Sequence, residues 1–192
     1  FPLVKKYGGV VVGLTLDENG IPETAAGRLA IAEKIVGEAK KYGIDRKDIV
    51  IDVLTMTISS EPNSAKVTLD ALKQVKERYG VKTVLGVSNI SFGLPSRPII
   101  NANFYTMAMQ YGLTAGIINP SSEEMMRSYY SYCALMGFDK NCENYIECCK
   151  KPDTATVKTV SNTQMDLKTV IIKGLKEEAL IITKQLVQSM KP

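Results

Sequence analysis

Residues 82–97 read Lys-Thr-Val-Leu-Gly-Val-Ser-Asn-Ile-Ser-Phe-Gly-Leu-Pro-Ser-Arg, and this stretch decides the fold. Thr83, Val84, Leu85 and Val87 form an apolar, β-branched run too short for a helix, which predicts a strand. Ser88, Asn89 and Ser91, then Phe92-Gly93-Leu94-Pro95, are turn chemistry. Small polar side chains at the carboxyl end of a buried parallel strand point into a barrel mouth or a sheet crevice, where α/β proteins bind ligands. Asn89 is the leading candidate there. Its amide offers two donors and a two-lone-pair acceptor, and keeps them at any pH near neutral. The competing reading is an Asn that only caps its turn.

The same unit recurs on both sides. Upstream, Val10–Leu16 predicts a strand ending in the turn Asp17-Glu18-Asn19-Gly20, then a helix from Pro22 to Tyr42 that stops at Gly43. After a polar link at 45–48, Ile49–Leu54 predicts the next strand, with a polar loop around Ser59–Asn63 and a helix from Ser64 to Tyr79 stopping at Gly80. Downstream, a helix is expected from Asn101 to Tyr111 with its stop at Gly112. A fourth strand, Thr114–Ile118, leads through Asn119-Pro120 to a helix opening at Ser122. The repeat spacing is roughly 30–40 residues, and Tyr-Gly closes three helices in turn. Strands alternating with amphipathic helices demand a parallel sheet. Four such units are half of a (β/α)8 barrel, which typically takes about 250 residues; a doubly wound sheet is the alternative. No strand is followed by G-x-G-x-x-G or by a P-loop, so nucleotide binding is not supported.

Beyond Gly137 no clear period appears. Residues 150–165 are polar and Thr-rich, the composition of a linker, and Met165–Met190 predicts one helix or two with a break at Gly174. The 192 residues suffice for one domain, or one domain and part of another. The net charge of +4 is dispersed among acidic residues, without a basic block interleaved with aromatics, which argues against nucleic-acid binding. No apolar run approaches the ~20 residues of a membrane helix, and the Phe1–Gly9 start does not resemble a signal peptide. Cys133, Cys142, Cys148 and Cys149 lack the spacing of a disulfide framework or a zinc site and read as reduced thiols of a cytoplasmic protein. The chain has no His, which removes Ser-His and Cys-His catalytic pairs; no metal site is expected.

The strand ends offer four positions: Asp17, Asp52, Asn89 and Asn119. Asp52 is the most unusual, because a carboxylate inside Val-Ile-Asp-Val-Leu costs several kcal/mol unless donors meet it. It is either bonded to loop amides or an acceptor for a planar ligand edge with N–H donors. Asp17 is more simply a turn residue, and Asn119 a turn or helix cap.

Three motifs then carry a resemblance: Ile-Asp-Val-Leu-Thr-Met-Thr-Ile-Ser at 51–59, Leu-Gly-Val-Ser-Asn-Ile-Ser-Phe-Gly-Leu-Pro at 85–95 and Gly-Ile-Ile-Asn-Pro at 116–120. Together they resemble the pterin-binding domain of cobalamin-dependent methionine synthases, within the wider methyltetrahydrofolate-dependent corrinoid methyltransferases. The resemblance implies an α/β fold: the C-terminal half of a (β/α)8 TIM-type barrel over residues 1–149, its strands the fifth to eighth. It further implies a linker at 150–165 and a short all-α segment at 166–192, similar to the start of the helical cap of a cobalamin-binding domain. It implies 5-methyltetrahydrofolate as methyl donor and cobalamin as acceptor, held by a domain or corrinoid protein outside this chain. Asp52 would bind the N–H edge of the pterin, Asn89 would act catalytically near N5, and Gly86 and Ser88 would line the pocket. The cobalt-ligating D-x-H-x-x-G motif and the zinc-binding homocysteine module have no counterpart here, so the chain is expected to be an internal piece of a longer enzyme. Such a half-barrel is expected to leave strand edges unpaired and to self-associate.

Overall fold

The computed structural model describes residues 1–150, 167–168 and 176–189. Its elements run α1 (Pro2–Tyr7), β1 (Val11–Leu14), α2 (Ala25–Lys41), β2 (Ile49–Asp52), α3 (Ser64–Tyr79), β3 (Lys82–Gly86), α4 (Arg97–Gln110), β4 (Ala115–Ile117), α5 (Glu123–Leu135), α6 (Glu143–Cys149) and α7 (Lys176–Ser189). The four strands form one sheet in the order β1-β2-β3-β4, and every neighbouring pair is parallel. This is the strand order of four consecutive βα units, half of a (β/α)8 barrel. The chain divides into two compact units, Phe1–Lys150 and Lys151–Pro192. In the second, Leu167 and Lys168 are helical and α7 is formed; the expected linker beyond Lys150 and the break at Gly174 lie outside the described residues.

The helix boundaries have local causes. Thr24 accepts a hydrogen bond from the Gly27 amide and Ser122 from that of Met125, so each satisfies an orphan donor at a helix start. The three Tyr-Gly stops all place the glycine at positive φ: 66° at Gly43, 63° at Gly80 and 100° at Gly112. The strands are shorter than the apolar runs suggested. The third ends at Gly86, because Val87–Ser91 coil into a 3-10 turn, and α4 begins at Arg97 rather than at Asn101. Two short helices lie where no element was expected. One is α1; the other is α6, whose start is held by Asp139, accepting from the backbone N–H groups of Asn144 and Tyr145 and from the Asn144 amide.

The core lies between sheet and helices. Ile49, Ile51 and Val53 at β2 and Leu85 and Val87 at β3 pack against Ala32, Val36 and Ala39 of α2 and Leu69, Leu72 and Val75 of α3. Ile51 and Leu72 are fully buried, and truncating either to Ala would cost about 2–5 kcal/mol. Two glycines set how closely the helices approach the outer strands. A Cβ at Gly13 would lie 2.8 Å from Ile35 Cγ2 of α2, and one at Gly116 would lie 2.9 Å from the Tyr105 ring of α4. These contacts show which sheet face the helices cover. Alternation then puts Val12, Leu14, Val50, Asp52, Val84, Gly86 and Ile117 on the other face. That face is open: Val12 is 54% exposed and Ile117 64%. Parallel sheets are normally covered on both faces, so this one is built to be covered.

Candidate functional site

The carboxyl ends of β2 and β3 are adjacent, and each carries one of the leading candidates. Asp52 is the last residue of β2, on the open face, paired in register with Leu14 on one side and Val84 on the other. It is half-buried, and its Oδ1 accepts a 2.9 Å hydrogen bond from the Leu54 amide, which closes a tight turn around the strand end. Among the described residues Oδ2 has no hydrogen-bond partner. Burial pushes the Asp52 carboxyl above its ordinary value, and the Leu54 N–H bond only partly offsets this. A lone carboxylate in this setting favours a ligand that brings N–H donors.

The chain beyond Asp52 is held firmly. Leu54 has φ 63°, a left-handed conformation that costs a branched side chain of order 1–3 kcal/mol and persists only under external restraint. The restraint comes from α2. Arg28, 1% exposed, donates from Nη1 to the carbonyls of Val53 at 2.9 Å and Leu54 at 2.8 Å and to Thr68 Oγ1 at 3.1 Å, and from Nε to the Pro22 carbonyl at 3.0 Å. Thr68 in turn donates to the Leu54 carbonyl. Next in the chain, Thr55 Oγ1 is buried without a hydrogen-bond partner.

Asn89 lies differently. It is exposed, in the 3-10 turn that follows β3, and its side-chain amide has no hydrogen-bond partner among the described residues. The amide folds back over the strand end instead: a Cβ at Gly86 would meet Asn89 Nδ2 at 3.3 Å. Only glycine at 86 lets it lie there without displacement. Ser88 is half-buried, and its carbonyl accepts from Arg97 Nη2 at 2.9 Å, while Arg97 Nε donates to Ser91 Oγ at 3.0 Å. Ser91 also donates to Asn101 Oδ1 at 2.7 Å. The two loops are tied to each other, since Thr57 and Ser59 hydroxyls donate to the Phe92 carbonyl at 2.8 Å and the Ile58 amide to that of Ile90 at 3.0 Å.

Asp17 and Asn119 are turn residues. Asp17 Oδ1 accepts from the Asn19 amide and Asn119 Oδ1 from that of Ser121. None of the four cysteines is disulfide-bonded, and no group of three His, Cys, Asp or Glu residues that could hold a metal occurs among the described residues. None of the described helices is long and apolar enough to cross a membrane. The residues that sequence reasoning missed are Arg28, Leu54 and Arg97. For Arg28 a signal existed: it heads the stripe Arg28, Ile31, Ala32, Val36, Ala39 that α2 buries.

A family model described as pterin binding enzyme matches residues 2–119, the segment that contains all four strands. The chain is 35% identical over 136 residues to a methylcorrinoid:tetrahydrofolate methyltransferase of Eubacterium limosum, covering 70% of this chain and 50% of that protein. It is 37% identical over 127 residues to the methionine synthase of Mycobacterium leprae and 36% identical over 127 residues to that of Mycobacterium tuberculosis. Those matches cover 62% of this chain but only 10% and 11% of the two synthases. The chain thus spans about half the length of the first relative and about a tenth of the other two.

Proposed function

Because this chain belongs to the pterin-binding enzymes, we propose that it supplies half of a folate site in a methyltransferase that moves a methyl group between N5 of tetrahydrofolate and a corrinoid. The observation that carries the reading is the pairing of a half-buried carboxylate, Asp52, with an unengaged amide, Asn89, at the ends of neighbouring parallel strands. Asp52 holds the N–H edge of the pterin and orients it, so that the methyl group lies in line with its acceptor. Gly86 and Ser88 line the same pocket. As the C–N bond breaks, N5 keeps the bonding pair and takes up a proton, and a reduced corrinoid, once presented, would supply the electron pair that receives the methyl group. A tertiary amine is a poor leaving group without that proton. Asn89 serves this step because a neutral amide donates to N5 when it is bare and accepts from it when it is protonated. An interaction that strengthens as charge develops accelerates the reaction.

The corrinoid is a methyl acceptor presented from elsewhere. The chain has no His to ligate its cobalt. Within this class the reading is methionine synthesis, with residues 166–192 as the start of the cap of a cobalamin-binding domain. The alternative is an enzyme serving a separate corrinoid protein. The name of the Eubacterium relative puts the flow toward tetrahydrofolate. The same groups serve that direction, since a site complementary to one transition state catalyses both ways.

Calorimetric titration with 5-methyltetrahydrofolate tests the reading, first on this chain and then on a completed barrel. Saturable binding that Asp52→Asn weakens is expected in the completed barrel. A completed barrel that binds no folate with Asp52 and Asn89 intact would sink it.

A further inference from the structure

Arg28 belongs to no motif that the resemblance carries, yet its guanidinium is almost completely buried beneath the strand end that bears Asp52. Burying an arginine without a hydrogen-bonded carboxylate is unfavourable, and burial pulls its pKa below the ordinary value, with Glu61 acting weakly against that. What the arginine obtains there is a set of backbone carbonyls. The β2–β3 ladder ends at the Asp52–Val84 pair, so the carbonyls of Val53 and Leu54 lie past the ladder and need donors from elsewhere. Arg28 Nη1 reaches both, and Thr68 reaches the second. The Nε bond to Pro22 fixes the guanidinium from its other side.

The Leu54 N–H shares a planar trans peptide with the Val53 carbonyl, so holding that carbonyl on Arg28 points the N–H the opposite way, at Asp52 Oδ1, 2.9 Å away. With the Leu54 carbonyl held as well, the residue lies at φ 63°. The bond to Oδ1 orients the carboxylate. One oxygen is occupied by the turn and the other is presented to the open face.

We propose that Arg28 is a positioning residue for Asp52, its guanidinium clamping the Val53 and Leu54 carbonyls so that the strained turn forms and Oδ2 faces the ligand. The proposal rests on the reading of Asp52 as the pterin-binding carboxylate. A purely structural plug would fill the same volume and satisfy the same carbonyls without depending on the conformation of Leu54. The clamp predicts such a dependence. Glycine adopts positive φ without strain, so a Leu54→Gly change should make the clamp dispensable.

The experiment uses the 192-residue chain with Arg28→Gln, Leu54→Gly and both together. Amide hydrogen exchange at position 54 reports the bond to Asp52, and exchange at Ile51 and Leu72 reports the core. Titration with 5-methyltetrahydrofolate reports the site. Arg28→Gln should lower protection at position 54 at least about tenfold, the scale of one lost buried hydrogen bond, while Ile51 and Leu72 keep theirs. Folate affinity should fall about tenfold with it. Adding Leu54→Gly should restore both to within about threefold, after correction for intrinsic exchange rates.

Unchanged protection at position 54 in Arg28→Gln would overturn the proposal, as would failure of Leu54→Gly to restore it in a folded double variant. If Arg28→Gln unfolds the chain, Thr68→Val removes one donor to the Leu54 carbonyl, and the same direction of change is required of it. If the unsubstituted chain binds no folate, affinity is read in the completed barrel, where absence of binding fails the pterin reading, and exchange at position 54 still decides the clamp.

Discussion

The ends of β2 and β3 are neighbours in one sheet, but they are built on opposite plans. At β2 the backbone is strained, the clamping arginine is buried, and one oxygen of Asp52 is committed to the turn. At β3 the turn is a relaxed 3-10 coil, its clamping Arg97 is half-exposed over the Phe92 ring, and the Asn89 amide carries no hydrogen bond among the described residues. Under the proposed function the difference matches two tasks. A group that orients a ligand must not move, and rigidity at β2 supplies that. A group that follows a change of protonation must be able to exchange donor for acceptor, and an uncommitted amide supplies that. Where a site needs both, strain belongs under the first and freedom under the second.

The largest expected effect breaks the free end. In a completed barrel, Asn89→Ala should lower the single-turnover methyl-transfer rate ~100-fold, the loss of one transition-state donor, while folate affinity changes little. A wild-type rate at saturating folate would return Asn89 to the status of a turn residue. Asp52→Asn addresses the fixed end and should do the reverse, weakening binding by roughly 1.5–3 kcal/mol with little change in the bound-state rate.

Asp52 also gives the fixed end a pH signature. Its carboxyl lies above the ordinary range because of burial, and ligand N–H donors require it ionised. Folate affinity should therefore rise as pH rises through that elevated value and then level off, a dependence that Asp52→Asn abolishes. Stability should run the other way. The folded chain holds this proton more tightly than the unfolded one, so Asp52 adds stability as pH falls from above the elevated value toward the ordinary carboxylate range. Urea titrations across that window, with Asp52→Asn as control, check the sign.

Two smaller effects sharpen the contrast. Gly86→Ala would place a methyl group 3.3 Å from Asn89 Nδ2 and shift the amide by a few tenths of an ångström. The transfer rate should drop ~10-fold and affinity less, as measured by the same single-turnover experiment. At the rigid end, Thr55→Val removes a buried hydroxyl that has no partner. It should raise stability by ~1 kcal/mol in urea denaturation, since no hydrogen bond is lost.

The architecture was legible because its signals are local. Apolar runs bounded by Gly, Pro and Asn mark βα units, and Tyr-Gly at 42–43, 79–80 and 111–112 marks helix ends that all adopt positive φ. Asp52 stood out as a charge inside an apolar run, and Asn89 as polar chemistry at a strand end. What stayed hidden is what depends on contacts between distant segments. Arg28 lies 25 residues before the Val53 carbonyl it meets, and an arginine in a helix reads by default as solvated charge. Nothing about a leucine announces a left-handed conformation, so Leu54 gave no signal. Helices α1 and α6 have six and seven residues, too short for a period to show. The shortened strands have a similar cause, since Val87 is apolar enough for a strand but is drawn into the turn.

The open face of the sheet has a consequence for the carboxylate set in it. Asp52 sits between Leu14 and Val84 on a surface whose outer parts, Val12 and Ile117, face water. Whatever covers that surface also removes water from Asp52. The uncompensated charge becomes dearer to hold, and a ligand donor that neutralises it becomes worth more, because the local dielectric has fallen. Under the proposed function, completing the barrel and filling it with folate are therefore linked equilibria: the cover sensitises the carboxylate to its ligand, and the ligand makes the cover harder to remove.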